Sequence, residues 1–152
     1  MLRERFMQEL KDAMKAGEKR KLATIRLIQS ALKDKDIEAR GLGKEPASDE
    51  DILALLQKMV KQRQESAAIY AANAREELAA QENEEIAIIA GFLPKQLDDA
   101  EMREAIRAEI AETGAASVKD MGKVIGALRG KYAGRMDFAK ASGVVKELLA
   151  AG

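Results

Sequence analysis

From Ala47 to Ala90 the sequence contains neither glycine nor proline, so nothing in the backbone chemistry of this stretch interrupts a helix. Laid out as one α-helix it would reach roughly 65 Å at 1.5 Å per residue. Its large apolar residues gather at the two ends. Ile52, Leu55, Leu56, Met59 and Val60 line the first part and Ile86, Ile89 and Leu93 the last, with an alanine-rich middle around Asn73. That distribution favours two helices with a break near Asn73; a single long helix is the alternative. Ser48 followed by Asp51 has the Ser-x-x-acid form of a helix start, and Asp49, Glu50 and Asp51 complement the positive end of the helix dipole.

The rest of the chain repeats this grammar. Leu2, Phe6, Leu10 and Met14 recur at helical spacing before Gly17, and Leu22, Ile25, Ile28 and Leu32 form the apolar side of a second helix from about Lys19 to Ala39. Gly41, Gly43 and Pro46 mark a loop. Gly91-Phe92-Leu93-Pro94 ends the long stretch, with Gly91 expected to take the left-handed conformation at the helix end and Pro94 to push its predecessor out of helix. A domain boundary is expected there, giving lobes of residues 1–93 and 94–152. Beyond it, Asp98 or Asp99, Ser117 with Asp120, and Asp137 can each open a helix. Their core faces are Met102, Ile106 and Ile110; Val118, Met121, Ile125 and Leu128; and Phe138, Ala141, Val145 and Leu148. No stretch alternates with the period of a strand. The expected fold is all-α, a multi-helix N-terminal lobe followed by a small three-helix C-terminal lobe.

Composition closes off much chemistry. With no cysteine and no histidine among 152 residues, thiolate chemistry, the commonest metal ligand and the commonest general base are absent; no metal, no cofactor and no catalytic residue are expected. Charged residues occupy the opening Met1–Phe6 where a signal peptide needs its apolar run, and no run approaches the ~20 apolar residues of a membrane span. No membrane association and a cytoplasmic location are therefore expected. The 26 basic and 26 acidic residues cancel, yet they are unevenly spread. Residues 1–45 carry 12 basic and 8 acidic side chains, 46–90 carry 4 and 9, 91–116 carry 3 and 6, and 117–152 carry 7 and 3. Both ends are basic.

The basic C-terminal stretch also carries the least ordinary local pattern, a glycine every fourth residue: Gly122, Gly126, Gly130 and Gly134. On a helix the first two share a face without side chains, where another backbone can approach closely; the second two are expected in the loop that follows. Lys123, Arg129, Lys131 and Arg135 stand among them as the cations a phosphodiester backbone requires. Tight helix packing and a ligand-facing surface both fit the spacing. Other features carry less. Glu82, Glu84 and Glu85 read as a solvated face with ion pairs to Arg75. Lys61, Gln62, Arg63 and Glu65 read as another charged face, and Lys19-Arg20-Lys21 as a basic run that can extend a basic surface. Gly41-Leu42-Gly43-Lys44 lacks the glycine and the Ser or Thr of a phosphate-binding loop, having Glu38 and Glu45 there.

Lys61-Gln62-Arg63-Gln64-Glu65-Ser66, Tyr70, Arg75, Leu78, Glu82, Glu85-Ile86 and Phe92-Leu93-Pro94-Lys95-Gln96-Leu97 in the centre, then Met121-Gly122-Lys123-Val124-Ile125-Gly126, Gly134-Arg135-Met136-Asp137 and Val144-Val145-Lys146 in the tail, and more loosely Leu27 to Lys33, together resemble the YqeY family. Met136 departs from the small residue usual in that Gly-Arg-Ala-Asp pattern. The resemblance implies an all-helical protein related to the tRNA-contacting tail of the GatB subunit of aspartyl/glutamyl-tRNA amidotransferase. Descriptions of the family attach carbon–nitrogen ligase activity with glutamine as nitrogen donor, for which this chain shows no nucleophile with its base. The expectation is a non-catalytic tRNA-binding or translation-associated module acting through Lys123, Arg129, Lys131 and Arg135, with tRNA, amidotransferase subunits or another protein as partner. A protein–protein adaptor using the same glycine face is the alternative.

Overall fold

The structure, a computed structural model, describes residues 1–151. Among them are seven α-helices and no strand: α1 (Leu2–Ala16), α2 (Lys19–Gly41), α3 (Asp49–Ala72), α4 (Glu76–Ala90), α5 (Asp99–Thr113), α6 (Met121–Tyr132) and α7 (Phe138–Ala151), with a single 3₁₀ turn at Val118–Asp120 before α6. The fold is all-α.

The caps follow local chemistry. Ser48 and Asp98 close reciprocal capping boxes with Asp51 and Glu101, so two otherwise unpaired N-terminal donors are satisfied at each start. Gly17 and Gly114 adopt φ 71° and 69° at the ends of α1 and α5, a conformation that costs a residue with a Cβ about 1–2 kcal/mol. Gly91 departs from expectation. It stays right-handed, at φ −61°. Phe92 and Leu93 then donate to the Ile89 and Ala90 carbonyls, tightening the last turn. Pro94 disfavours helix at Leu93 and Phe92 is pulled into the core, so the stop needs no left-handed residue.

The long glycine-free stretch is two helices. α3 ends at Ala72, and the chain reverses through Asn73 and Ala74 into α4, forming a hairpin in which Arg63 pairs with Glu85 at 2.9 Å. Glu84 pairs with Arg20 at 3.1 Å. The partners of these carboxylates are thus Arg63 and Arg20 rather than Arg75, and Arg63 lies largely inside rather than on a solvated face, because the hairpin turns its side of α3 onto α4.

The chain forms two compact units, Met1–Pro94 and the residues from Lys95 onward. In the first, Phe6, Ile25, Ile28, Leu32, Ile52, Leu56, Met59, Ile89 and Phe92 share one core; each fully buried aliphatic side chain contributes about 2 kcal/mol. Met14 is exposed and Ala13 takes the buried position instead. Phe6 and Phe92 meet edge to face at 4.9 Å, while Arg5 stacks over the Phe92 ring at 4.7 Å and donates to the Gly91 carbonyl at 2.6 Å. In the second unit α5, α6 and α7 enclose a core of Met102, Ile106, Val124, Leu128, Met136, Ala141, Val145 and Leu149. Met136, the departure from the small residue, is accommodated in that core.

Candidate nucleic-acid interface

α6 carries the glycine pattern. Its start is prepared by Asp120, which accepts hydrogen bonds from the Ala116 and Ser117 N–H groups at 2.9 and 3.3 Å. These bonds, and more weakly the charge of Lys123, hold the Asp120 carboxyl below the ordinary carboxylate range. From Met121 onward the helix buries Val124 and Leu128. Gly130 belongs to α6, not to a following loop. A helical glycine costs only about 1 kcal/mol relative to alanine, too little to end a helix whose next turn is anchored by Tyr132 against the core.

At about 100° per residue, Gly122, Gly126 and Gly130 step around α6 by about 40° each and form one stripe, opposite Val124 and Leu128. All three are exposed, and a Cβ added to any of them meets no atom within 4 Å. Among the described residues of the second unit, no neighbouring helix packs on the stripe. Gly134 is different. It is buried in the turn after α6 at φ 78°, where its carbonyl accepts from the Gln96 amide.

The four candidate cations separate in the same way. Lys123 and Arg129 flank the stripe, and both are exposed. Arg129 rests over the Phe138 ring at 5.1 Å, a contact that orients the guanidinium without consuming its donors. Lys131 lies on the far side of the helix, where it reaches Glu109 and Glu112 of α5, both at 2.8 Å. Those hydrogen bonds, to Glu109 first, raise its pKa above that of a free lysine. Glu109 is 4% exposed, so Lys131 compensates a buried carboxylate. Arg135 donates to the Lys95 carbonyl at 3.0 Å while its own carbonyl accepts from Leu97, lacing the segment before α5 to the turn after α6. Lys123 and Arg129 are thus presented outward; Lys131 and Arg135 are engaged within the unit.

α7 repeats the construction in a form that a four-residue pattern does not reveal. Gly143 is exposed with open space where a Cβ would be, and Lys140 and Lys146, three residues to either side, are exposed beside it. The signal was the Lys-x-x-Gly-x-x-Lys spacing. Among the described residues no group of histidine, cysteine, aspartate or glutamate is arranged to hold a metal ion, and no helix is long and apolar enough to cross a membrane.

Comparison with known proteins gives concordant results. The protein Altered inheritance of mitochondria protein 41, mitochondrial, of Vanderwaltozyma polyspora is 36% identical over 87 residues, which cover 57% of this chain and 45% of the relative. The chain therefore matches less than half of that relative's length, and the mitochondrial location in its name is a property of that protein. A family model described as Yqey-like protein matches residues 3–149. That match takes in both hydrophobic cores and the whole of α6, and on that ground the chain belongs to the family of Yqey-like proteins.

Proposed function

We propose that this protein is a non-catalytic, translation-associated module that binds the phosphodiester backbone of tRNA through the outward face of α6. One observation carries the reading: Gly122, Gly126 and Gly130 leave an open strip of helix backbone that no other helix of the second unit covers, with Lys123 and Arg129 at its edges. A strip without Cβ atoms admits a bulky sugar–phosphate chain close to the helix, and flanking cations gain from release of the counterions condensed on it. The basic surplus of 117–152 and the resemblance to the GatB tail support the same partner. Phosphate contacts of this kind position a nucleic acid without reading its sequence.

The test is a titration of the full-length protein with tRNA at graded salt. The Lys123→Ala/Arg129→Ala variant should lose about 0.7–0.9 of log–log slope per lost contact, while Lys131→Met leaves the slope unchanged. A double variant with the slope of the parent protein would remove this face from consideration.

A second reading, a protein adaptor, draws on the same exposed glycine strip, since a partner helix can also approach a surface without side chains. Apolar helix contacts are not screened by salt as phosphate contacts are. Binding that survives high salt and nuclease would favour the adaptor.

A further inference from the structure

Lys19, Arg26, Lys33 and Arg40 recur every seventh residue along α2, each about 10.5 Å from the next at 1.5 Å per residue. Seven residues fall only about 20° short of two full turns, so the four share one stripe. All are exposed, on a flank of α2 turned about 120° from the buried face of Ile25, Ile28 and Leu32. Ala23, Ser30 and Ile37 lie between them, and the helix carboxylates Asp34, Asp36 and Glu38 fall to either side. The other three cations of α2 are accounted for: Arg20 pairs with Glu84 at 3.1 Å, Lys21 with Glu9 at 3.4 Å and Lys35 with Glu38 at 3.9 Å. Among the described residues none of the four stripe cations makes a salt bridge.

A second observation comes from the end of the stripe. There the surface sinks into a recess of about 670 Å³, lined by Arg3, Lys33, Asp36, Arg40 and Lys44. Its single carboxylate is already committed. Asp36 accepts both guanidinium bonds of Arg3, at 2.8 and 2.9 Å, and the Ala47 N–H at 3.0 Å. These bonds hold its pKa at about 2, so it stays ionised and tied to Arg3. Lys33, Arg40 and Lys44 face the recess with no carboxylate left to them.

We infer that the α2 stripe and its terminal recess form a second RNA-backbone surface, in the first unit, distinct from the α6 face. The choice of RNA as the polyanion rests on the function proposed above; the surface itself rests on α2. From Lys19 to Arg40 the stripe runs about 30 Å, comparable with one turn of a duplex. A lipid surface would require a continuous band of large apolar side chains beside the cations, whereas Leu27, Ile37 and Leu42 are exposed there as separate residues. Evenly spaced positive charge with no continuous apolar band suits a partner whose own charge is evenly spaced.

The experiment compares the full-length protein with two variants, Arg26→Ala/Lys33→Ala/Arg40→Ala on α2 and Lys123→Ala/Arg129→Ala on α6. Each is titrated with tRNA and with a 20-base-pair RNA duplex at graded salt, and circular dichroism checks that the helices persist. The α2 variant should lose about 2–2.7 of log–log slope, three contacts at 0.7–0.9 each. The charge-retaining Arg26→Lys/Lys33→Arg/Arg40→Lys should restore it. A loss in the α2 variant alone sustains the stripe and removes the α6 face; a loss in the α6 variant alone overturns the stripe and leaves the proposed function standing. Losses in both sustain both. A parent protein with no salt-dependent binding to either RNA overturns both.

Discussion

Ala74 is the single non-glycine residue with positive φ, 57°, among the described residues. It occupies the position after α3 that Gly17, Gly43 and Gly114 occupy after α1, α2 and α5. The hydrogen bonds there are those of a Schellman turn: Arg75 N–H to the Tyr70 carbonyl at 2.8 Å and Ala74 N–H to Ala71 at 3.3 Å. An L-residue with a Cβ is strained in this conformation by about 1–2 kcal/mol, and glycine gives back part of any advantage through its freer unfolded chain. Ala74→Gly should therefore stabilise the protein by about 0.5–1 kcal/mol, read from urea denaturation midpoints; a destabilised variant would show that this turn is not strained. The break itself was legible from the weak apolar pattern near Asn73. Its geometry was not, because alanine carries no signal for a left-handed conformation; the need to close the α3–α4 hairpin imposes it.

α6 is only 12 residues long and holds three interior glycines, which together forgo about 3 kcal/mol of helix propensity relative to alanine. Its stability comes instead from Val124, Leu128 and their neighbours in the core. Since a Cβ at Gly126 would meet nothing within 4 Å, Gly126→Ala should raise stability by about 0.5–1 kcal/mol while weakening tRNA binding. Thermal melts and titrations on one sample read both effects. Higher stability with unchanged affinity would mean that the glycine strip serves something other than the proposed contact. The sequence pattern brought attention to this helix, and 3.6-residue spacing was enough to put Gly122 and Gly126 on one face. Whether that face was covered depended on where α5 and α7 dock, which periodicity does not encode.

The described residues form two hydrophobic cores with no residue in common, one drawn from positions 6–92 and the other from 102–149. Separate cores predict separable unfolding. Leu128→Ala, which opens a cavity at a fully buried site and should cost about 2–5 kcal/mol, is expected to lower one calorimetric transition and leave another in place. A single transition shifted as a whole would instead mean that the two units unfold together.

Helix positions, the capping boxes at Ser48 and Asp98 and the membership of most core faces were readable from the amino-acid order, because each depends on residues no more than about four apart. The engagements of the charged side chains were not. Lys131 meets Glu109, Arg63 meets Glu85, Arg3 meets Asp36 and Arg135 meets the Lys95 carbonyl, pairs that lie 22 to 40 positions apart. A cation's local neighbours do not reveal which carboxylate a packed helix will bring to it. Docking of the helices converted two of the four candidate cations into internal braces and left Lys123 and Arg129 facing outward beside an uncovered strip of backbone.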